Sequence, residues 1–378
     1  MITPGDEFPL HQSSRPVRDA GTDRNSYDRF FFNGYDVAGP GDSGHGSRGQ
    51  GGPVYFAAAL GIYPGRNIAD AGFSVVHDGI QHNVHASRLL GSDRLDTRVG
   101  PIGVRIIEPL ARLALTVDHV GSGPPVQAEL EFTYRSPLFE EPHYLWKVGH
   151  RTIFDITRMT QSGTWSGWIR IGPDRIEVDR TSFMGGRDRS WGTRPVGERE
   201  PPGAPEPGAS FYWLWAPLNF ADASVLFDVN ETNSGSRWHH SAGWAPIGDL
   251  DRAVEWGRAD YSMTYKAGTR HVETFEIDFD LGGRREKVAL EPLFNFYMQG
   301  IGYTHPKWGH GMYVGPDESE YDSFPTGSVD ETSPFNQHVQ TLCRAVRSDG
   351  AVGMGILEQL IIGPHAPSGL TGLLDMHD

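Results

Sequence analysis

The sequence contains almost no cysteine. Its 378 residues include a single one, Cys343, so an internal disulfide and a metal site built from several cysteines are both excluded. Only the neighbouring Arg344 could lower the pKa of this thiol, and buried, inert cysteines are common. Cys343 is therefore predicted to be structural rather than nucleophilic.

Positive charge and long apolar runs are also scarce. Lys and Arg total 33 against 48 Asp and Glu, a formal net charge of -15, which disfavours binding to a nucleic-acid backbone. No apolar run approaches the roughly 18–20 residues that span a bilayer, and the polar N-terminal residues do not have the layout of a signal peptide. These absences predict a cytoplasmic protein with no nucleic-acid partner and no membrane span.

Helical periodicity with capping residues is rare, whereas strand patterns recur throughout. The 48 glycines and 27 prolines occur together with 10 Trp, 13 Tyr and 19 Phe, which favours short strands and tight turns over disorder. Apolar and β-branched segments repeatedly end at Gly, Pro, Asp or Asn. The stretch "PVYFAAALGIY" from Pro53 fits either a short helix or a strand. The predicted fold class is all-β.

The length favours two domains, because single hydrophobic cores stop growing at about 250–300 residues. The Pro/Gly-rich stretch at residues 194–210 is predicted to be a linker or surface loop between β domains at 1–193 and 211–378. Each domain is expected to be an antiparallel barrel or sandwich. No P-loop or Gly-x-Ser-x-Gly elbow occurs, and the glycine-rich residues 41–52 are predicted to form a mobile loop.

The stretch "FSVVHDGIQHNVHASRLL" from Phe73 is predicted to be a strand with two chemically different faces. Apolar residues alternate with a polar set that is predicted to bind a ligand, namely His77, Gln81, Asn83 and His85. On one strand His77 and His85 would lie about 26 Å apart, too far to share an ion. Neither a metal nor a cofactor is predicted.

The segment "GGRDRSWGTR", residues 185–194, surrounds Asp188 with arginines and places Trp191 nearby. On a strand, Arg187 and Arg189 would point away from Asp188, leaving this carboxyl inside, where burial raises its pKa. Asp188 is thus predicted to be a catalytic acid or base, or a structural residue that caps a turn or pairs with Arg194. Trp191 and Arg194 are predicted to contact the ligand.

The segment "GIGYTHPKWGHG", residues 300–311, gathers ionisable and aromatic side chains between glycines. Pro306 disfavours a helix here. In a loop, the imidazoles could serve as acid or base while the rings stabilise a cation; alternatively, the imidazoles satisfy backbone groups. The candidates are Tyr303, His305 and His310 for catalysis and Trp308 for ligand binding.

Glu358 lies in the otherwise apolar strand "VGMGILEQLIIG". A buried carboxylate is costly unless it is paired or protonated. Glu358 is therefore either a second catalytic acid or base, or the partner of an arginine such as Arg158.

Three stretches resemble segments of the AttH-like and carotenoid hydratase-like superfamily, and the similarity extends over about residues 25–373. They are "GGRDRSWGTR", "GIGYTHPKWGHG" and "ILEQLIIGPHAPSGLTGL". The resemblance implies two lipocalin-like barrels in tandem. The superfamily includes hydratases of acyclic carotenoids and several cyclases, and in those hydratases the aspartate that matches Asp188 is the proposed proton donor. This chain has Arg189 where they have histidine.

Two hypotheses of function follow. The first is a cofactor-independent lyase or hydratase, isomerase or cyclase acting on a hydrophobic terpenoid, steroid, polyketide or aromatic molecule in a pocket at the domain junction. In it Asp188 moves a proton, and Tyr303, His305 and His310 relay protons. The alternative is a non-catalytic carrier of a hydrophobic ligand, as single lipocalin barrels commonly are.

Overall fold

The computed structural model describes residues 1–20, 23–37, 53–198, 204 and 210–377. The predicted loop at 41–52 and most of the predicted linker at 194–210 lie outside the described residues. The described residues form strands and one-turn 3₁₀ helices and contain no α-helix. The all-β prediction is confirmed, and "PVYFAAALGIY" lies mostly in a strand. None of the described helices is long or apolar enough to cross a bilayer.

Strands account for all of the extended regular structure. In chain order they are β1 (Ser26–Asp36), β2 (Tyr55–Tyr63), β3 (Ile68–His77), β4 (Ile80–Leu89), β5 (Arg98–Val99), β6 (Ile102–Glu108), β7 (Arg112–His119), β8 (Val126–Tyr134), β9 (Phe139–Glu140), β10 (Tyr144–Val148), β11 (Arg151–Ile171), β12 (Asp174–Val178), β13 (Phe183–Thr193), β14 (Phe211–Asn219), β15 (Ala223–Glu231), β16 (Arg237–Pro246), β17 (Glu255–Trp256), β18 (Arg258–Tyr265), β19 (Val272–Leu281), β20 (Arg284–Tyr297), β21 (Asp317–Pro325), β22 (His338–Arg347) and β23 (Val352–Ile362). The 3₁₀ helices are Pro4–Glu7, Val17–Asp19, Pro64–Arg66, Met298–Ile301, Thr326–Ser328, Pro334–Asn336 and Ala366–Ser368.

The chain divides into two compact units. Unit 1 comprises Met1–Tyr134, His143–Pro201 and Gly300–Ser328, and unit 2 comprises Arg135–Pro142, Pro202–Gln299 and Val329–Asp378. Both units are discontinuous in sequence. Arg135–Pro142 belongs to unit 2, and Gly300–Ser328, which contains the motif at 300–311, belongs to unit 1.

Each unit is a nearly closed antiparallel barrel. The main path of unit 1 runs β21-β4-β3-β2-β1-β13-β11-β8-β7-β6-β5, and that of unit 2 runs β17-β16-β15-β14-β23-β22-β20-β19-β18. Most neighbouring strands in both paths follow one another in the chain, so most strand pairings join strands that are consecutive in sequence. In each barrel, alternate residues of the strands point inward and form a hydrophobic core.

Aromatic side chains occupy the interior of unit 1. The Trp165 ring lies 5.9, 5.1 and 4.9 Å, centroid to centroid, from Phe32, Phe56 and Phe132. Its Nε1 donates a hydrogen bond of 2.8 Å to the Asn33 carbonyl, as a buried indole requires. The centre of this barrel is therefore filled by the protein's own side chains.

The predicted single strand from Phe73 is wrong, because it is a hairpin. Asp78 and Gly79 connect β3 to β4 with φ of 51° and 74°, the left-handed pair that an Asp-Gly hairpin turn adopts. His77 pairs with Ile80, and His85 pairs with Gly72. His77 therefore lies on the opposite face from His85, about five residues or 17 Å along the sheet.

Gly79 offers a test of this turn. Replacing Gly79 by alanine is expected to cost about 1 kcal/mol, because its φ is left-handed although the space around it is open. Gly327 also has open space but no left-handed φ, so Gly327→Ala is the matched control. Urea unfolding of both variants measures the difference, and equal effects would contradict the turn assignment.

Candidate functional site

Most of the motif at 185–194 lies on β13, and its side chains face the opposite sides of the sheet from those predicted. Arg187 and Arg189 are buried, while Asp188 is only half-buried on the outward face of the barrel. The prediction that Asp188 is inside and the arginines are outside is therefore wrong. The reason is that the interior supplies two carboxylates, Glu7 and Asp28, which pair with these arginines.

Glu7 and Arg187 form a bidentate ion pair inside unit 1. The Arg187 Nη1 and Nη2 donate to the two Glu7 oxygens at 2.7 and 2.8 Å, and the Leu110 N–H donates to Oε2 at 2.9 Å. Burial by itself would raise the pKa of Glu7, but the charge and hydrogen bonds of Arg187 outweigh it and the pKa is lowered. Glu7 is therefore a buried anion.

Arg189 forms a second interior pair, with Asp28. Its Nε donates to the Glu7 carbonyl oxygen at 3.2 Å, and its guanidinium lies 4.2 Å from the centroid of Phe30. Trp191 is on the same side of β13 and contacts the His11 ring edge-on at 4.9 Å. The basic part of this motif thus ties the N-terminal residues to the barrel, and Trp191 contributes to that structure.

A second segment covers the outward face of unit 1. We call the outward residues of β1 to β4 the covered face, and residues 300–315 the covering segment. A Cβ atom on Gly72 would lie 2.7 Å from Ile301 Cα, and a Cβ atom on Gly300 would lie 2.2 to 2.5 Å from Asn83, Gln81 and Ser74. This close approach requires glycine on both sides.

Asp70 lies under the covering segment and is 8% exposed. The Gly311 N–H donates to its Oδ2 at 2.7 Å, the Tyr63 hydroxyl donates to Oδ1 at 3.2 Å, and His310 Nδ1 is 3.7 Å from Oδ1. Burial raises the pKa of Asp70 to about 6, against the lowering effects of Gly311 and Arg29. The sequence analysis missed this acid, although a lone aspartate in the apolar run "IADAGFSVV" has the same signal as Glu358.

Arg29 is on β1 and is 2% exposed. Its partner across the sheet is Gly61, which in turn pairs with Asp70. A Cβ atom on Gly61 would lie 2.2 Å from the Tyr63 hydroxyl oxygen, so this hydroxyl occupies the space above the glycine. The Arg29 guanidinium lies 4.3 Å from the Tyr303 centroid, and none of its three nitrogens has a hydrogen-bond partner among the described residues.

Two arginines, Arg29 and Arg194, contact the ring of Tyr303. Arg194 lies 5.7 Å from its centroid and 5.2 Å from that of Tyr27, and His310 contacts it edge-on at 4.5 Å. Burial raises the pKa of Tyr27, and the nearby charge of Asp188 adds to this effect. Asp188 therefore lies at the margin of the same group of residues.

His85 and Asp322 form a hydrogen-bonded pair at the other end of the covering segment. The His85 Nε2 and Asp322 Oδ2 are 2.9 Å apart, and the Asn83 amide donates to Oδ1 at 2.6 Å. Burial would raise the pKa of Asp322, but His85 and Asn83 lower it. His85 also stacks on Trp308 at 5.7 Å. This pair fixes an imidazole with a carboxylate behind it.

His305 completes this cluster, with its ring 4.9 Å from that of His85. The backbone N–H groups of Lys307 and Trp308 donate to its Nδ1 at 3.1 and 2.8 Å. Burial, followed by the charge of His85, lowers the pKa of His305 to about 4. His305 is therefore a neutral imidazole with its proton on Nε2. Its Nδ1 satisfies two backbone N–H groups, which is the alternative that the sequence analysis gave for the histidines of this loop.

Two groups of described residues have the spacing of metal ligands. His85, His305 and Asp322 in unit 1, and Glu141, Asp228 and His239 in unit 2, each place ligand atoms within 4.8 Å of one another. A histidine that ligates through one nitrogen normally donates from the other. His305 accepts at Nδ1 and therefore does not fit a metal bound at Nε2. His85 likewise already uses Nε2 for Asp322.

Glu358 lies in unit 2 and is buried on β23. Its Oε1 is 2.6 Å from His338 Nε2, and the Gln340 amide donates to Oε2 at 2.6 Å. Both partners stand on the adjacent strand β22. These bonds satisfy the two carboxylate oxygens within unit 2.

The family of unknown function DUF8625 matches residues 2–371. The chain belongs to the DUF8625 family. No protein with curated annotation matches its sequence. A crystal structure of an AttH-like protein from Nitrosomonas europaea is similar to this DUF8625 protein with a TM-score of 0.52 and 12% identity, over 91% of this chain and 95% of that chain. At this identity the likeness concerns the fold, and it confirms the AttH-like tandem lipocalin-like architecture.

The DUF8625 fold brings most, but not all, of the predicted site residues together. Those on the covered face are Gln81, Asn83 and His85, and those in the covering segment are Tyr303, His305, Trp308 and His310. Arg194 follows β13 and contacts the Tyr303 ring. Asp188 adjoins them, whereas His77, Trp191 and Glu358 lie elsewhere. Arg29, Tyr63, Asp70 and Asp322 are the members that the sequence analysis did not identify.

Proposed function

We propose that this DUF8625 protein is a cofactor-independent acid–base enzyme, a lyase or hydratase, isomerase or cyclase, that acts on a hydrophobic small molecule at the covered face of unit 1. The observation that carries the proposal is Asp70, a buried carboxyl with a pKa of about 6, hydrogen-bonded to Tyr63 and close to Arg29.

The chemistry follows from these three groups. A carboxyl whose pKa lies near the working pH exists in both protonation states and can either give or take a proton. The Tyr63 hydroxyl extends the reach of Asp70 by one hydrogen bond. A buried guanidinium such as Arg29 stabilises negative charge on a substrate oxygen, because little water screens it there.

The predicted residues of the covering segment have supporting roles in this proposal. Tyr303 presents a ring face to the ligand and holds Arg29 and Arg194 in place, while His310 stands next to Asp70 for proton relay. The His85 and Asp322 pair positions Trp308. Asp188 is the second carboxylate of the proposed site and retains its predicted role as an acid or base.

The carrier hypothesis has less support in unit 1. A lipocalin-type carrier encloses its ligand within the barrel, and Trp165 and its aromatic neighbours occupy that space here. A carrier also has no need of an acid with a raised pKa.

Asp70→Asn tests the enzyme proposal. The protein is incubated in D₂O with the organic-soluble fraction of a bacterial extract, and mass spectrometry follows compounds that isomerise, gain or lose water, or incorporate deuterium. Asp70→Asn is expected to slow such conversion by about 10²–10⁴-fold, while Asp118→Asn, an exposed control, retains it. Undiminished turnover by Asp70→Asn would show that Asp70 is not the acid or base. Asp188→Asn assayed in parallel shows whether the second carboxylate contributes.

The same substitution is expected to stabilise the protein. Because the folded pKa of Asp70 is raised from 3.8 to about 6, the folded state binds this proton more tightly, and stability falls as the pH rises from 4 through 6. Asp70→Asn removes that loss, so its free energy of unfolding should exceed that of the wild type by about 1–3 kcal/mol at pH 7.5. The two proteins should converge near pH 4. Urea unfolding at several pH values measures this, and a constant difference would contradict the raised pKa.

A further inference from the structure

We infer that the molecule bound at the covered face carries a carboxylate on a hydrophobic, ring-containing body, and that this carboxylate forms a bidentate pair with Arg29. This inference rests on the proposed function for the location of the site, and it names the class of substrate.

Arg29 is a buried cation whose hydrogen-bonding capacity is unused by the described residues. All three of its nitrogens are shielded from solvent, and none has an acceptor among those residues. Burying a charge without hydrogen bonds is costly, and the Tyr303 ring at 4.3 Å compensates for only part of that cost. Arg187 and Arg189, in contrast, are buried with carboxylates. A ligand anion would supply to Arg29 what Glu7 supplies to Arg187.

Asp70 does not fulfil this role, although its charge acts on the same region. Arg29 and Asp70 stand on β1 and β3, on either side of Gly61, so their backbones are about 10 Å apart. The two Asp70 oxygens accept from Gly311 and Tyr63 instead. The guanidinium fork therefore remains available to a planar anion of matching geometry, and a carboxylate has that geometry.

The surroundings of Arg29 favour an apolar body for this ligand. The Tyr303 ring lies against the Arg29 guanidinium, and the charge of Arg29 acts on the buried Tyr63 hydroxyl. Tyr303 also contacts Arg194, which lies over the Tyr27 ring. Arg194 adds positive charge, while Asp70 and Asp188 add negative charge, so the site is not uniformly cationic. This balance opposes a multiply charged anion and favours a monocarboxylate with ring or hydrocarbon surface.

Benzoate and its uncharged analogue benzamide are suitable probes. Isothermal titration of the full chain is expected to show that benzamide binds at least roughly 10-fold more weakly than benzoate, because charge-assisted bonds to a guanidinium strengthen binding by about that factor. Arg29→Met is expected to lose benzoate binding by a similar factor. Arg98→Met, at an exposed arginine, is the matched control and should bind as the wild type does.

Two further measurements keep the inference open to refutation. The first is the variant Arg29→Lys, which retains the charge but not the fork. The second is made on the wild type, so it does not depend on whether Arg29→Met folds: the Arg29 Nε–H signal should shift in NMR spectra as benzoate is added. Equal affinities for benzoate and benzamide, or an unmoved Arg29 signal at saturating benzoate, would overturn the pairing, and sulfate binding as tightly as benzoate would overturn the apolar body. Asp70→Asn should still bind benzoate, so binding that survives with unchanged turnover in that variant would reject the proposed function but not this inference.

Discussion

Replacing Glu7 by alanine is expected to lower the free energy of unfolding by about 3–5 kcal/mol, because it leaves the buried Arg187 without its counter-charge. Arg187 donates to both oxygens of Glu7 and is 1% exposed. Its other close acceptor is Gln161 Oε1 at 3.1 Å, which is neutral. The Leu110 N–H also loses its acceptor.

Urea or thermal unfolding measures this loss, and Glu108→Ala provides the control. Glu108 also faces an arginine, Arg112 at 3.4 Å, but both side chains are exposed, so the expected loss is below about 1 kcal/mol. Similar losses for the two variants would contradict the assignment of the Glu7 pair to the barrel interior.

The Glu7 pair also predicts how stability depends on acid. The pKa of Glu7 in the folded state is lowered from its ordinary value near 4.5, so the unfolded state binds this proton more readily. The contribution of Glu7 is complete above pH 4.5 and is lost as the pH falls through the folded pKa. Wild type and Glu7→Gln should therefore differ less in stability as the pH drops below about 4. Asp70→Asn also converges with the wild type as the pH falls, but from a higher stability instead of a lower one.

Trp165→Ala is the second substitution expected to have a large effect, about 3–5 kcal/mol in the free energy of unfolding. Trp165 fills the centre of unit 1 among Phe32, Phe56 and Phe132 and donates to the Asn33 carbonyl. Its removal leaves an apolar cavity and an unsatisfied carbonyl. Such a cavity would resemble the ligand chamber of a lipocalin, and apolar cavities of this kind bind small apolar molecules.

The measurement has two parts. Urea unfolding gives the loss of stability, and titration with benzene or xenon, followed by NMR, shows whether the new cavity is accessible. Trp168, on the same strand but half-buried against Arg175 at 4.5 Å, is the control, and Trp168→Ala should cost about 1 kcal/mol or less. Binding of the apolar probe by the wild type inside unit 1 would show that this barrel already contains a chamber and would favour the carrier hypothesis.

Much of the architecture could be predicted because it depends on local patterns. Alternating apolar residues and frequent turn residues indicated strands without helices, and the turn at Asp78 and Gly79 has the dipeptide signature of a hairpin. The prediction of a single strand across Asp78 and Gly79 was wrong, although this dipeptide by itself favours a hairpin turn. The burial of Cys343, and the raised pKa of its thiol that follows from burial, agree with its prediction as a structural residue.

The sequence by itself determined the all-β class and the alternation of Arg187, Asp188 and Arg189 across a strand. It pointed to the segment at 300–311 but not to Arg29, Tyr63 or Asp70, on which the proposed function rests. Only the tertiary structure decided which side of that strand is interior, since Glu7 lies 180 residues away along the chain. It also placed residues 300–315 over Arg29 and Asp70, more than 200 residues earlier. Alternation shows that neighbouring side chains point in opposite directions, but the environment that shifts a pKa or leaves a cation without an acceptor is created by distant parts of the chain that meet only on folding.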